Sequence, residues 1–328
     1  MAWRKQAVGE DGRVRLSFPS WTIFGMRSVK DEVEGSCKER SRGGFGGCNY
    51  RCFLEDGGTK QSMEMDAMTS TACCDWYGVD CDSTGRVTGL SIFQDDNLTG
   101  TITPAIADLP HLNNLLLNQL PKLSGTIPTA LAGLKNIQLF RIMNTAVSGP
   151  LSGAIPSSLA NLPNLQALHL DHNRLSGAVP ASFGSFSKDS PPDLYLFHNS
   201  LTGTIPAFLG GPNWGIIDLS WNQIASDASF LFGSSKPATQ IDLSRNMLSF
   251  DLTDVSFPTK LTLLDLSHNK IYGGIPAQIN QVTGLVQFNV SYNELCGEIP
   301  AGALTAKFGQ SSYSNNKCLC GGPLAACK

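Results

Sequence analysis

Between Val87 and Val290 the chain places apolar residues in pairs two positions apart: Leu90/Ile92, Leu115/Leu117, Phe140/Ile142, Leu168/Leu170, Leu194/Leu196, Ile217/Leu219, Ile241/Leu243, Leu264/Leu266 and Phe288/Val290. A spacing of two puts both side chains on one face of an extended strand. Nine short strands, each with one buried face, are therefore predicted. A polar phrase closes most of them. "LHLDHN" ends at Asn173, "LYLFHN" at Asn199, "IDLSWN" at Asn222, "IDLSRN" at Asn246, "LDLSHN" at Asn269 and "FNVSYN" at Asn293, at intervals of 26, 23, 24, 23 and 24. Between them recur "LSGTIP" (123–128), "LSGAIP" (151–156), "LSGAVP" (175–180), "LTGTIP" (201–206) and "YGGIP" (272–276). A fixed period near 24 means stacked copies of one unit, none of which can bury its apolar face alone.

Each repeated position has a physical task. The paired apolar residues fill the core. The asparagine hydrogen-bonds backbone groups of neighbouring coils that burial would leave unpaired. Glycine permits the turn, and the proline after the buried isoleucine ends strand pairing. The pattern L-x-x-L-x-L-x-x-N-x-L is the leucine-rich repeat signature, and G-x-I-P marks its plant-type form. The predicted fold is an α/β repeat: a solenoid of about nine plant-type repeats, with a parallel sheet on the concave face and disulfide-stapled caps. Register breaks once. "VSGPLSGAIP" (147–156) sets two "SG" phrases four residues apart, and the strand-to-strand step there is 28, so a four-residue bulge is expected where two repeats have merged. The predicted division is a divergent, largely disordered segment 1–72, a cysteine cap 73–86, repeats 87–295 and a second cysteine cap 296–328.

Cysteine placement explains how the ends are closed. Six of the ten cysteines lie at or before position 81, four at or after 296, and none between. The open ends of a solenoid expose apolar core, and cysteines confined to the ends indicate stapled caps. The spacings CC, C-x₆-C and C-x-C are not the C-x₂₋₄-C pairs of a zinc site, so no metal is expected. Charge changes little. A net charge of −3 points to neither nucleic acid nor an anionic membrane as partner. No apolar run approaches the ~20 residues that span a bilayer. Charged residues are 21 of the first 72, and that segment has neither sustained period nor the layout of a signal peptide.

The residues between and after the strand leucines face out from the concave sheet. Neighbouring parallel strands lie ~4.8 Å apart, so equivalent positions form columns. One column reads Ser91, Leu116, Arg141, His169, Tyr195, Asp218, Asp242, Asp265, Asn289; the next includes His172, His198, Trp221, Arg245, His268 and Tyr292. Trp, Tyr and Arg most often carry interface energy, so a protein-binding face is predicted with His169, His172, Tyr195, His198, Asp218, Trp221, Asp242, Arg245, Asp265 and His268 as its contacts. The plainer reading of "DLS" is a solvated strand filler. The cluster His169, Asp171, His172 and the neighbours His172 and His198 have the residue types of catalytic or metal groups. Without G-x-S-x-G, H-E-x-x-H or a P-loop they read as binding surface, so neither catalysis nor a cofactor is expected. Two N-x-S/T sequons, at Asn97 and Asn289, are candidate glycan sites in an exported chain.

"CCDWYGVDC", "SSLANLPNLQAL", "IDLSRNMLSFDLTDVSFPTKLTLLDLSHNKIYGGIP", "FNVSYNELCGEIPAG" and "SSYSNNKCLCGGPLAACK" together resemble the plant polygalacturonase-inhibiting proteins, from about Thr71 to Lys328. The resemblance implies a secreted cell-wall glycoprotein of plant defence that binds fungal, and sometimes insect, endopolygalacturonase and blocks it without catalysis. Pectin is a second candidate partner, and a single copy is expected. It also implies the pairs Cys296–Cys318 and Cys320–Cys327. At the first cap Cys74–Cys81 is the expected pair. Cys73 then needs an upstream partner among Cys37, Cys48 and Cys52, with Cys48 or Cys52 nearest. The family has ten repeats where this chain shows nine. The alternative is a soluble receptor-like repeat protein that binds a peptide or other protein ligand, or an inactive relative lacking a repeat.

Overall fold

The computed structural model describes residues 73–148 and 154–328. The disorder expected of 1–72, the partner of Cys73 and the centre of the bulge at 149–153 lie outside the described residues.

The nine strands form one parallel sheet in chain order: Val87–Phe93, Asn114–Leu120, Leu139–Thr145, Ala167–His169, Asp193–Tyr195, Ile216–Asp218, Gln240–Asp242, Leu263–Asp265 and Gln287–Asn289. We number their coils one to nine. A tenth strand, Val79–Cys81, closes the first edge by antiparallel pairing with Val87–Phe93. It belongs to the cap rather than to the repeat, so periodicity gave no signal for it. The register is unbroken across the bulge: Phe140 pairs with Leu168 as Leu168 pairs with Leu194.

Two features of the coils follow from single positions. The residue five after the first strand leucine is Asn in coils four to nine, and its amide knits adjacent coils. Asn222 donates to the carbonyls of Leu196 (3.0 Å), Leu219 (3.1 Å) and Ser220 (3.1 Å) and accepts the N–H of Leu201 (2.9 Å). Asn173, Asn199, Asn246, Asn269 and Asn293 repeat the arrangement. In coils one to three that position is Asp95, Leu120 and Thr145. The strands there run seven residues instead of three, and Leu120 pairs with Thr145 in the sheet.

The strand end has a second cause. In coils six to eight the residue between the strand leucines is Asp, and its Oδ1 accepts the N–H of the serine two residues on: Asp218 from Ser220 (3.0 Å), Asp242 from Ser244 (2.9 Å) and Asp265 from Ser267 (2.9 Å). This local turn takes the donor that would continue the ladder.

The convex side carries 3-10 helices of three to five residues, each placing an apolar side chain in the core, such as Leu131, Leu159, Phe183, Leu209 and Ile279. Five of them start directly after a proline: Pro128, Pro156, Pro180, Pro206 and Pro276. The fixed φ of proline suits a helix entry, and its missing N–H costs no strand bond there. The core is one continuous cluster from Val79 to Tyr313. Disulfides join Cys74 to Cys81, Cys296 to Cys318 and Cys320 to Cys327. Trp76 packs against the first end of the core. Buried Tyr313 covers the last, its hydroxyl donating to the Thr305 carbonyl at 2.8 Å.

Candidate functional site

The sheet register places the first column in line. Arg141, His169, Tyr195, Asp218, Asp242, Asp265 and Asn289 are successive Cα partners on seven adjacent strands. His169 and Tyr195 stack at 4.2 Å with planes 11° apart. The three aspartates behind them are half-buried, not freely solvated as the plainer reading of "DLS" expects. Burial, and then the charge of Asp218, raises the Asp242 carboxyl from 3.8 to about 7. Burial also raises Asp218, with Asp171 and Asp265 adding to the effect.

The second column has a backbone property that side-chain patterning does not signal. His172, His198, Trp221, Arg245, His268 and Tyr292 all have φ between 51° and 55°. This left-handed conformation is uncommon for bulky side chains; Gln94, Gln119 and Asn144 share it in coils one to three, where Asp95, Leu120 and Thr145 follow, so it belongs to the bend of the coil rather than to the asparagine ladder. Repeated in every coil, it superimposes the side chains. His172 stacks on His198 (4.5 Å, 17°), and His198 on Trp221 (4.5 Å, 18°). The Arg245 guanidinium lies 4.1 Å over the Trp221 ring, and His268 stacks on Tyr292 (4.2 Å, 9°). The result is a ridge across six coils. Trp221 and Tyr292 remain 46 % and 49 % exposed.

Asp171 anchors the start of the ridge. It is 4 % exposed, and its Oδ2 lies 3.2 Å from His172 Nδ1 while its Oδ1 lies 3.6 Å from His169 Nδ1. The repeat pattern marks both histidines as contacts but gives no sign that this carboxylate is buried; its Oδ2 hydrogen-bonds His172 and its Oδ1 faces His169. Burial, with His172 next to it, pushes the His198 imidazole below its ordinary value; burial and Arg245 do the same to His268.

All ten predicted contact residues thus lie on one concave surface of coils four to eight, with an acidic floor and a ring-and-guanidinium ridge beside it. The rings offer their edges, because each inner face is taken by a neighbour. Among the described residues no group of three His, Cys, Asp or Glu side chains is arranged to hold a metal ion. None of the described helices is long and apolar enough to cross a membrane. Of the two sequons, Asn97 is exposed on coil one, and Asn289 sits in the floor column.

Comparison with known proteins gives the same architecture. The family model described as Leucine Rich Repeat matches residues 164–186 and 260–282. "Polygalacturonase inhibitor 2" of Arabidopsis thaliana is 47 % identical over 281 residues, covering 79 % of this chain and 84 % of its own. "Polygalacturonase inhibitor" of Pyrus communis is 46 % identical over 282 residues, with 79 % and 84 % covered. Among solved structures, a plant ice-binding protein is similar at a TM-score of 0.67 and 41 % identity, covering 78 % of this chain and 89 % of that one.

Proposed function

The chain belongs to the polygalacturonase-inhibitor family of plant leucine-rich repeat proteins, and from that premise we propose that it blocks endopolygalacturonase by laying its concave face over the enzyme's pectin cleft. The observation that carries this reading is the ridge of His172, His198, Trp221 and Arg245, with successive steps of 4.5, 4.5 and 4.1 Å. Large side chains held against each other in the free protein lose little rotamer freedom on docking, so more of their contact energy appears as affinity. Trp and Arg are the residue types that most often dominate interfaces. The half-buried row Asp218, Asp242 and Asp265 lies beside the ridge and fits a basic stretch of the partner. Charge of this kind sets encounter rate and partner choice more than affinity.

In this reading no covalent step occurs. Inhibition is exclusion: a protein surface fills the space that the polysaccharide needs. The protein acts as a single copy outside the cell, in the wall, where disulfides such as Cys296–Cys318 persist. The concave sheet keeps unbroken register across the 28-residue step between coils three and four, so the missing tenth repeat leaves the docking surface continuous. The test is direct. Purified protein is titrated against a panel of fungal and insect endopolygalacturonases with polygalacturonate as substrate. At least one enzyme is expected to lose activity with saturable, tight dependence on inhibitor concentration. Unchanged activity across the panel would refute the proposal.

A further inference from the structure

The two N-x-S/T motifs are not equivalent in the fold. The sequon at Asn289 has a structural explanation of its own. Asn289 occupies the same column as Asp218, Asp242 and Asp265, and Asn289-x-Ser291 repeats their Asp-x-Ser turn. Its Oδ1 accepts the Ser291 N–H at 3.1 Å and the Ser291 hydroxyl at 2.8 Å, and its Nδ2 donates to Asp265 Oδ2 at 3.4 Å. Ser291 is 3 % exposed. The amide nitrogen that would bear a sugar and the hydroxyl that completes the sequon are both committed to the floor of the concave sheet.

Asn97 is placed in the opposite way. In coil one the ladder position is filled by Asp95, whose Oδ1 accepts the backbone N–H of Asn97 at 2.8 Å and of Leu98 at 3.1 Å. Asp96 is an extra residue relative to coils three to nine: Leu98 stands eight residues after Leu90, whereas Leu175 stands seven after Leu168. The asparagine of this coil is thereby relieved of the buried ladder role and set on the outside. Leu98 packs against the core, while Asn97 and Thr99 on either side of it are exposed. The tripeptide is held by its middle residue and by Asp95, with the acceptor amide and the threonine turned to solvent. Coil one lies five strand spacings from Trp221, roughly 24 Å along the sheet.

We infer that Asn97 is the N-glycosylation site of the folded chain, and that Asn289 stays unmodified. In this linkage the Asn97 Nδ2 forms the bond to the first N-acetylglucosamine, one amide hydrogen is lost, and the lipid-pyrophosphate donor of the oligosaccharide leaves. A glycan there stands clear of the concave columns. One on Asn289 would rise from the last strand of the floor column, beside Asp265.

The test is to direct the full chain through the secretory pathway of plant cells behind a cleavable leader and to map glycopeptides by mass spectrometry. Glycan is expected on the Asn97 peptide alone. Asn97→Gln and Thr99→Ala, both at exposed positions, are each expected to abolish the glycosidase-sensitive mass shift. Asn289→Asp, which keeps the Asp-x-Ser turn, is expected to leave it unchanged. A glycan on Asn289 would overturn the inference. So would a bare Asn97 in protein whose Cys74–Cys81 bond has formed, since that bond certifies passage through the oxidising compartment. The readout is mass alone, so loss of the inhibitory reading in the enzyme panel would leave this result standing, and the reverse also holds.

Discussion

Two polar residues of the repeat make opposite contributions that can be measured one at a time. Asn222 satisfies four backbone groups of two successive coils. Asn222→Ala leaves the Leu201 N–H and the Leu196 carbonyl without this partner, and is expected to cost about 2–4 kcal/mol in denaturant unfolding. Asp242 works the other way. Its carboxyl is raised to about 7 in the folded protein, against about 3.9 in an unfolded chain. The folded state therefore binds this proton more tightly than the unfolded state. The stability it contributes is full below about pH 4 and is lost as pH rises towards 7. Asp242→Asn keeps the acceptor for the Ser244 N–H and removes the charge. It is expected to flatten that part of the pH–stability curve and to raise the unfolding midpoint at pH 7.5 by a few degrees, at about 2–4 °C per kcal/mol. A variant that melts lower than wild type at pH 7.5, with the same pH slope, would contradict the assignment. The identity of these residues was legible in the repeat, but their burial was not. "DLS" reads equally well as solvated filler, and only the packing of adjacent coils shows that the three aspartates sit half-covered in a row.

Strand spacing and the ends of the solenoid depend on different signals. The nine parallel strands were legible because each L-x-L pair must face the core at every turn, whatever the loops do. Strand length was less visible. It depends on whether Asp or Asn at the middle position diverts the following N–H, and on whether Asn, Leu or Thr holds the ladder position, as Leu120 and Thr145 do in coils two and three. The antiparallel strand Val79–Cys81 escaped periodicity because it occurs once. The left-handed backbone at His172, His198, Trp221, Arg245, His268 and Tyr292 has no composition signal at all, since bulky residues disfavour it. That conformation converts a loose column of large residues into a stacked one. At the C-terminal end the 22-residue separation closed by Cys296–Cys318 should stabilise by about 3 kcal/mol. The paired substitution Cys296→Ser with Cys318→Ser is expected to lower unfolding free energy by that amount while leaving the circular dichroism of the repeats in place.

Taken as a whole, the molecule is a stack in which each coil touches only its neighbours, so its stability is graded along the axis. Reducing the terminal disulfides is expected to speed amide exchange most in coil nine, at Val290 and Tyr292. Exchange at Leu219 and Leu243, in the middle of the asparagine ladder, is expected to change little. Uniform acceleration would instead mean one cooperative unit. The same one-dimensional build makes the concave face a rigid array, and the central claim is that this array, through its ring ridge, occludes a polygalacturonase. The most direct measurement is the inhibition constant of Trp221→Ala and Arg245→Ala beside Phe208→Ala. Phe208 is 75 % exposed and lies on a 3-10 helix of the convex side. Each concave variant is expected to weaken inhibition of a susceptible enzyme by about 30-fold or more, the effect of an interface hot spot, while Phe208→Ala inhibits like wild type. Equal inhibition by all three would contradict the claim.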